Sequence, residues 1–294
     1  MAGSRLRCAA TVDQMEELAA KHVLLDIEII TLIALAIGVA LYAVIRRQSG
    51  NPISSTPHWD VYDLGLMFFP AIMFLMGPFL LVSAAGTEQE SAPGDATPGY
   101  GALLFNLGIY VFVLMMVHAI VEWIRLRSMK EVFGLTSVGL PQIIIYTIVG
   151  GIFSVLVCVW LVGTFSEYWI GGMFDGLQEQ APVRSLQEAE SRTFISLAVF
   201  AAVIGAPVAE EFLFRGYMYG ALKNATGRLF ATVVISLLFA VVHGNLPALL
   251  PLFVFSLILC AAYEMSGSLW VPVGLHAFFN GTNIVLMLTQ QAVE

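Results

Sequence analysis

The sequence predicts an all-α fold, a polytopic membrane bundle of about eight transmembrane helices. Three observations predict it. The 294 residues are 59% hydrophobic and only 12% charged, about half the charge fraction of a soluble domain, and the mean hydropathy is +0.85. Apolar runs long enough to cross a bilayer recur along the chain. Basic residues cluster in alternate connections between those runs. Helices rather than isolated strands follow because each backbone polar group in lipid needs a partner within its own segment.

Residues 1–22, "MAGSRLRCAATVDQMEELAAKH", lack the apolar core of a cleavable signal peptide and read as a solvated tail or a short surface helix. Residues 23–164 hold four spans, Ile27 to Ile45, Val61 to Val82, Ala102 to Val121 and Pro141 to Val162. Residues 165–192 form an external loop. Residues 193–294 hold the remaining spans: Phe194 to Gly205 and on past Pro207, Leu229 to Val242, Leu246 to Tyr263, and Val271 to Leu288. No internal repeat is visible, and a bundle of this size forms one body.

Loop charge orients the bundle. Arg46 and Arg47 follow the first span, Arg125, Arg127 and Lys130 the third, and Arg215, Lys223 and Arg228 the fifth. The intervening "GTEQESAPGDATPG" has no Lys or Arg, and Phe165 to Arg192 is net negative. The positive-inside rule puts the basic loops in the cytoplasm and both termini outside, in a multi-pass protein expected in the plasma membrane. Tyr168 and Trp169 fit an interfacial aromatic belt or a gate. No basic and aromatic surface points to nucleic acid. Cys8, Cys158 and Cys260 lack metal-ligand spacing, and no metal or other cofactor is expected.

One stretch breaks the apolar pattern. "GAPVAEEFLFRG", Gly205 to Gly216, carries Glu210, Glu211 and Arg215 where an ionised group at the bilayer centre costs a few kcal/mol. Glu211 and Arg215 are spaced i, i+4 and share a helix face. Glu210 lies about 100° away, so one carboxylate is held by the arginine and the other is left for a cavity. Pro207 deprives the carbonyl of Val203 of its usual donor. Further on, "FAVVH" sets Phe239 and His243 on one face, and "HAFFN" does so for His276 and Asn280. Alone, each has a plain structural reading: a Glu–Arg pair glues bundles, a His at a span end satisfies itself at the interface, and Phe239 is core. Two carboxylates, two histidines and an asparagine on three spans are too many costly polar groups for packing.

In this order, "EEFLFR", "FAVVH" and "HAFFN" resemble the EExxxR, FxxxH and HxxxN/D motifs of the CPBP family (CAAX proteases and bacteriocin-processing enzymes), intramembrane glutamic endopeptidases that include type II CAAX prenyl proteases. The resemblance covers roughly Phe194 to Leu288, and the first four spans carry no matching motif. It implies that Glu210 and His243 activate water and that His276 and Asn280 form an oxyanion site. Glu211 and Arg215 are implied as supporting residues, joined by Phe239 of the second motif. It also implies metal-free catalysis on a protein or peptide substrate in the lipid bilayer: a prenylated tail, a peptide precursor or another membrane protein's terminus. Two other readings use the same residues: a zinc protease with Glu210, His243 and His276 as ligands, and a non-catalytic scaffold, immunity protein or transporter.

Depth is the unresolved joint. Measured from the turn near Asn224 to Gly227, Glu210 and His243 lie at similar depths of about 21 and 24 Å at 1.5 Å per residue. His276 stands only a few residues into its span. Meeting the others requires a tilted seventh helix, or a descent of "GNLPALLP" into the bundle.

Overall fold

The computed structural model describes residues 59–75, 100–165 and 191–291. The N-terminal segment, the first span with its arginines, Cys8, the end of the second span and most of the external loop, including Tyr168 and Trp169, lie outside the described residues. Within them every regular element is helical. The helices are α1 (Tyr62–Leu75), α2 (Tyr100–Ile124), α3 (Leu140–Gly163), α4 (Arg192–Thr226), α5 (Arg228–Val241), α6 (Leu246–Ser266) and α7 (Trp270–Gln291). Five have the length and apolar character to cross a membrane; α1 and α5 are shorter.

The outer surface is what a lipid-facing bundle requires. On α3, Ile145, Val149, Phe153 and Trp160 are all exposed, which water would penalise and hydrocarbon does not. Glycines on the inner side let α3 and α7 approach closely. A Cβ at Gly151 would stand 2.4 Å from Phe278 Cδ1, and one at Gly274 would stand 2.2 Å from Thr147 Oγ1. Close backbone packing through small residues is how membrane helices gain van der Waals contact where no hydrophobic drive acts between them.

At one end, Asp60 caps α1 by accepting from Tyr62 N–H at 2.9 Å, and Asp63 returns a carboxylate to the Asp60 N–H at 2.9 Å. Arg127 reaches Asp63 at 2.9 Å, Arg125 Nε lies 3.2 Å from Asp63, and Arg125 also bonds Asp60. Trp59 lies edge-on to Tyr217 at 5.4 Å, and its carbonyl accepts from Asn224 Nδ2 at 3.0 Å. The start of α1 is thereby pinned to the ends of α2 and α4.

Residues 128–139 fold over the same region. Phe133 is fully buried, its carbonyl accepts from Leu269 N–H at 3.1 Å, and Gly134 meets Gly267 backbone to backbone. Gly134 has φ +60°, and a Cβ there would stand 1.8 Å from the Gly267 carbonyl oxygen. Glycine is required twice over, for the left-handed backbone and for the contact.

The α6–α7 turn resolves the depth problem. Leu269 and Phe133 pack on Gly216 of α4, so the α4–α5 hairpin extends well past the level where α7 begins. From that common level Glu210 is six residues back along α4 and His276 seven along α7. At 1.5 Å per residue both lie about 10 Å deep. A descending "GNLPALLP" is not what brings them together, because α6 starts at Leu246, directly after His243, with Asn245 as its N-cap. The Leu229-to-Val242 span is correspondingly only 14 residues, about 21 Å long and short of a full crossing.

Candidate active site

The acids of α4 sit on a short α-helical segment, Ala206–Glu211, bounded by π-helical turns at Ala201–Gly205 and Phe212–Met218. Such bulges turn successive side chains through a smaller angle and recur at functional sites. Pro207 stands at the junction of the first π turn and the α-helical segment and has no N–H to return to the preceding turn. Glu211 and Arg215 are completely buried. Arg215 is therefore no marker of the cytoplasmic end, as loop charge had suggested, and only Lys223 and Arg228 remain for that role.

A buried guanidinium has five N–H donors to satisfy. Arg215 Nη1 donates to Glu211 Oε1 at 2.8 Å, and Nη2 donates to Ser256 Oγ on α6 at 2.5 Å. The Phe239 ring lies 4.3 Å beneath its Cζ, a cation–π contact in a dry setting. Ser256 was not found from the sequence, where it is a single serine in an apolar run. The need of a buried arginine for acceptors on another helix was the available signal.

His276 joins both acids. Its Nδ1 donates to Glu211 Oε1 at 2.8 Å, and its Nε2 lies 3.9 Å from Glu210 Oε2. His243 approaches Glu210 from the other side. Its Nδ1 lies 2.6 Å from the Phe239 carbonyl oxygen, which fixes the N–H there, and its Nε2 is 4.0 Å from Glu210 Oε2. Glu210 Oε2 is buried and has no hydrogen-bond partner among the described residues. The His243 side chain is 25% exposed against 4% for His276, so the site opens on the His243 side.

Phe239 is core, fully buried, and also a platform. Its ring centroid is 4.7 Å from that of His243 and 5.7 Å from that of His276. Phe255 of α6 supports His276 from another side at 5.4 Å. Glu210, Glu211, Arg215, Phe239, His243 and His276 are thus brought together. Asn280 reaches α4 elsewhere: its Nδ2 donates to the Ala202 carbonyl at 2.8 Å.

The N-terminal helices also contribute. Tyr110 of α2 packs against Gly205, where a Cβ would stand 3.4 Å from its ring, and its phenol lies in the field of Glu210 beside Asn106. The i, i+4 polar pair Asn106/Tyr110 inside an apolar span was the signal for it. No three His, Cys, Asp or Glu side chains among the described residues are grouped so as to hold a metal ion. Zinc would need Glu210 and both histidines about 2 Å from one point, closer together than 3.9 and 4.0 Å.

Fold and site together define a helical membrane protein with an acid–histidine centre buried inside its bundle. Residues 192–282 match the family described as Type II CAAX prenyl endopeptidase Rce1-like. That segment is an Rce1-like domain, and the chain is a multi-pass membrane peptidase. It is 23% identical over 223 residues to a Bacillus subtilis (strain 168) protein named membrane peptidase YdiL, covering 76% of this chain and 85% of that protein. It is 33% identical over 95 residues to the membrane-embedded CAAX protease MroQ of Staphylococcus aureus (strain USA300), covering 30% of this chain and 38% of that protein. The first of these similarities is too long for the motif-bearing third alone and takes in N-terminal spans. No solved structure matches the chain.

Proposed function

We propose that the chain is an intramembrane endopeptidase that hydrolyses a peptide bond near the end of a membrane-associated or lipidated protein or peptide, with Glu210 as general base. The observation that carries this is Glu210 Oε2, buried, unpartnered and 3.9–4.0 Å from two imidazole Nε2 atoms. That separation is too long for a direct hydrogen bond and suits a bridging water with arms of about 2.8 Å.

Glu210 takes a proton from water held by His243, and the hydroxide oxygen bonds to the scissile carbonyl carbon as the carbonyl π electrons move to oxygen. His276 faces this oxyanion through Nε2. Its Nδ1–H is committed to Glu211, so Nε2 donates only from the doubly protonated ring, with Glu211 as counter-charge. Collapse breaks the C–N bond, and the proton on Glu210 passes to the leaving amine. General-base catalysis contributes roughly 10²–10⁴-fold, and one well-aimed oxyanion donor about as much. Arg215 holds Glu211 in place through the Nη1–Oε1 bond, and Phe239 holds Arg215, His243 and His276 in register.

A prenylated tail is the substrate class supported by the family's description and by the name of the staphylococcal relative. Lys223 and Arg228 support access from the cytoplasm. The test compares membrane proteomes from cells carrying the wild type and Glu210→Gln. An uncleaved terminus should accumulate in the variant and vanish with the wild type; identical termini in both would refute the reading.

A further inference from the structure

We propose that Asn280 is a positioning residue: its amide closes the backbone gap that Pro207 leaves in α4, and so fixes the direction in which Glu210 projects. In the π turn the Ala206 N–H reaches back five residues to the Ala201 carbonyl. Continuing that spacing, the Ala202 carbonyl would look to residue 207, and proline has no N–H. The α-helical register had assigned the freed carbonyl to Val203; the π turn moves it to Ala202. There Asn280 Nδ2 donates at 2.8 Å.

The same face of α7 carries a second grip, because His276 donates to Glu211 at 2.8 Å. Residues four apart on α7 thus hold α4 before Pro207 and just after Glu210, and the catalytic carboxylate projects from the segment between them. A carbonyl at membrane depth without a donor is costly, so the amide on α7 substitutes for the missing intrahelical bond. This role is distinct from donation to an oxyanion. The backbone closure stands without the catalytic reading, whereas its effect on rate rests on that reading.

The test is a double-mutant cycle between Asn280→Ala and Pro207→Ala, because alanine restores an N–H at 207. Thermal unfolding in detergent is measured with Glu210 intact and also in Glu210→Gln, which frees this arm from any assumption about cleavage. Asn280→Ala should lower the melting temperature, and Pro207→Ala should shrink that loss by more than half. Additive effects would overturn the proposal. If Asn280→Ala does not accumulate, its recovery on adding Pro207→Ala is the supporting result and its continued absence the overturning one.

The second arm uses an internally quenched, S-farnesylated peptide ending in a CAAX sequence. Asn280→Ala should lower kcat roughly tenfold or more, the scale of a small misplacement of a reacting group, with KM unchanged. Adding Pro207→Ala should restore most of it. A stable Asn280→Ala protein whose lost kcat is untouched by Pro207→Ala would make Asn280 an oxyanion donor and sink the positioning role. If the wild type leaves the peptide uncut, the unfolding arm alone decides the backbone closure, and the substrate assignment fails separately.

Discussion

Two charge clusters in this molecule use similar parts to opposite ends. At the start of α1, Asp60 and Asp63 face Arg125 and Arg127, two carboxylates against two guanidiniums, with Asp60 36% exposed. Inside the bundle, Glu210 and Glu211 share one arginine and two histidines. The first cluster pairs each carboxylate with both guanidiniums, is partly wet, and fastens helix ends. The second lies deeper and opens only on the His243 side. It leaves Glu210 Oε2 and Glu211 Oε2 without hydrogen-bond partners, and of these Glu210 Oε2 is the one that lies 3.9–4.0 Å from both histidines. A charge cluster becomes chemically useful when its pairing is incomplete and water reaches it from one side only, not merely when acids and bases meet.

The strongest way to break that contrast is to remove the unpartnered acid or its neighbour. Glu210→Gln and His243→Ala should each lower cleavage by two orders of magnitude or more, with normal membrane insertion and unfolding temperature. Full proteolysis by either purified variant would void the distinction between the clusters. Glu211→Gln should differ in kind. It leaves the fully buried Arg215 without its charge partner, at a cost of about 3–5 kcal/mol, so stability in detergent should fall together with activity. Unchanged unfolding would mean that Ser256 and Phe239 suffice to hold Arg215.

A smaller effect is expected from Gly134→Ala, which puts a Cβ on a left-handed backbone and against the Gly267 carbonyl. It should destabilise by about 1–3 kcal/mol and leave residual activity per folded molecule intact, as unfolding curves and active-site titration would reveal. Smaller again is the outer quartet. Burial pushes the Asp60 carboxyl up, but the Tyr62 N–H and the two arginines outweigh it and hold its pKa below the usual range. A carboxylate depressed in the folded state adds stability above its unfolded pKa of about 3.9 and loses it as pH falls through the folded value. Asp60→Asn should therefore cost less than about 1 kcal/mol near neutrality, and the gap from wild type should close below pH 4. A gap that persists there would mean that the carboxylate charge is not what stabilises the fold at this position, since asparagine caps a helix as well as aspartate does.

The smallest expected effect is none: metal chelators should leave cleavage unchanged. One zinc per chain by elemental analysis, with activity lost on removal and regained on return, would move Glu210 and both histidines to a metal site.

Much of this was legible in the chain. Seven of the eight expected spans fall wholly or partly among the described residues, and each begins or ends within a few residues of a helix there, because apolar length and the demand for internal backbone pairing act locally. The Glu211–Arg215 pair was readable because i, i+4 geometry needs no tertiary information. Tyr110, Ser256 and the depth of His276 were not readable. Each depends on which helix lies beside which, and an apolar run carries almost no record of its neighbours.

By itself the sequence determined the helical membrane class, the i, i+4 pairing that holds Glu211 and leaves Glu210 apart, and, of the seven candidate site residues, the six including Glu210 that meet there. Tertiary structure decided the rest. It ran α4 past the start of α7 so that His276 meets Glu210, shared His276 between both acids, and sent Asn280 to the Ala202 carbonyl. The reason is physical. Secondary structure and charge pairing within a helix are fixed by bonds a few residues apart. The partner of a buried polar group on another helix is fixed by how glycines, aromatics and backbone bulges let whole helices slide and seat.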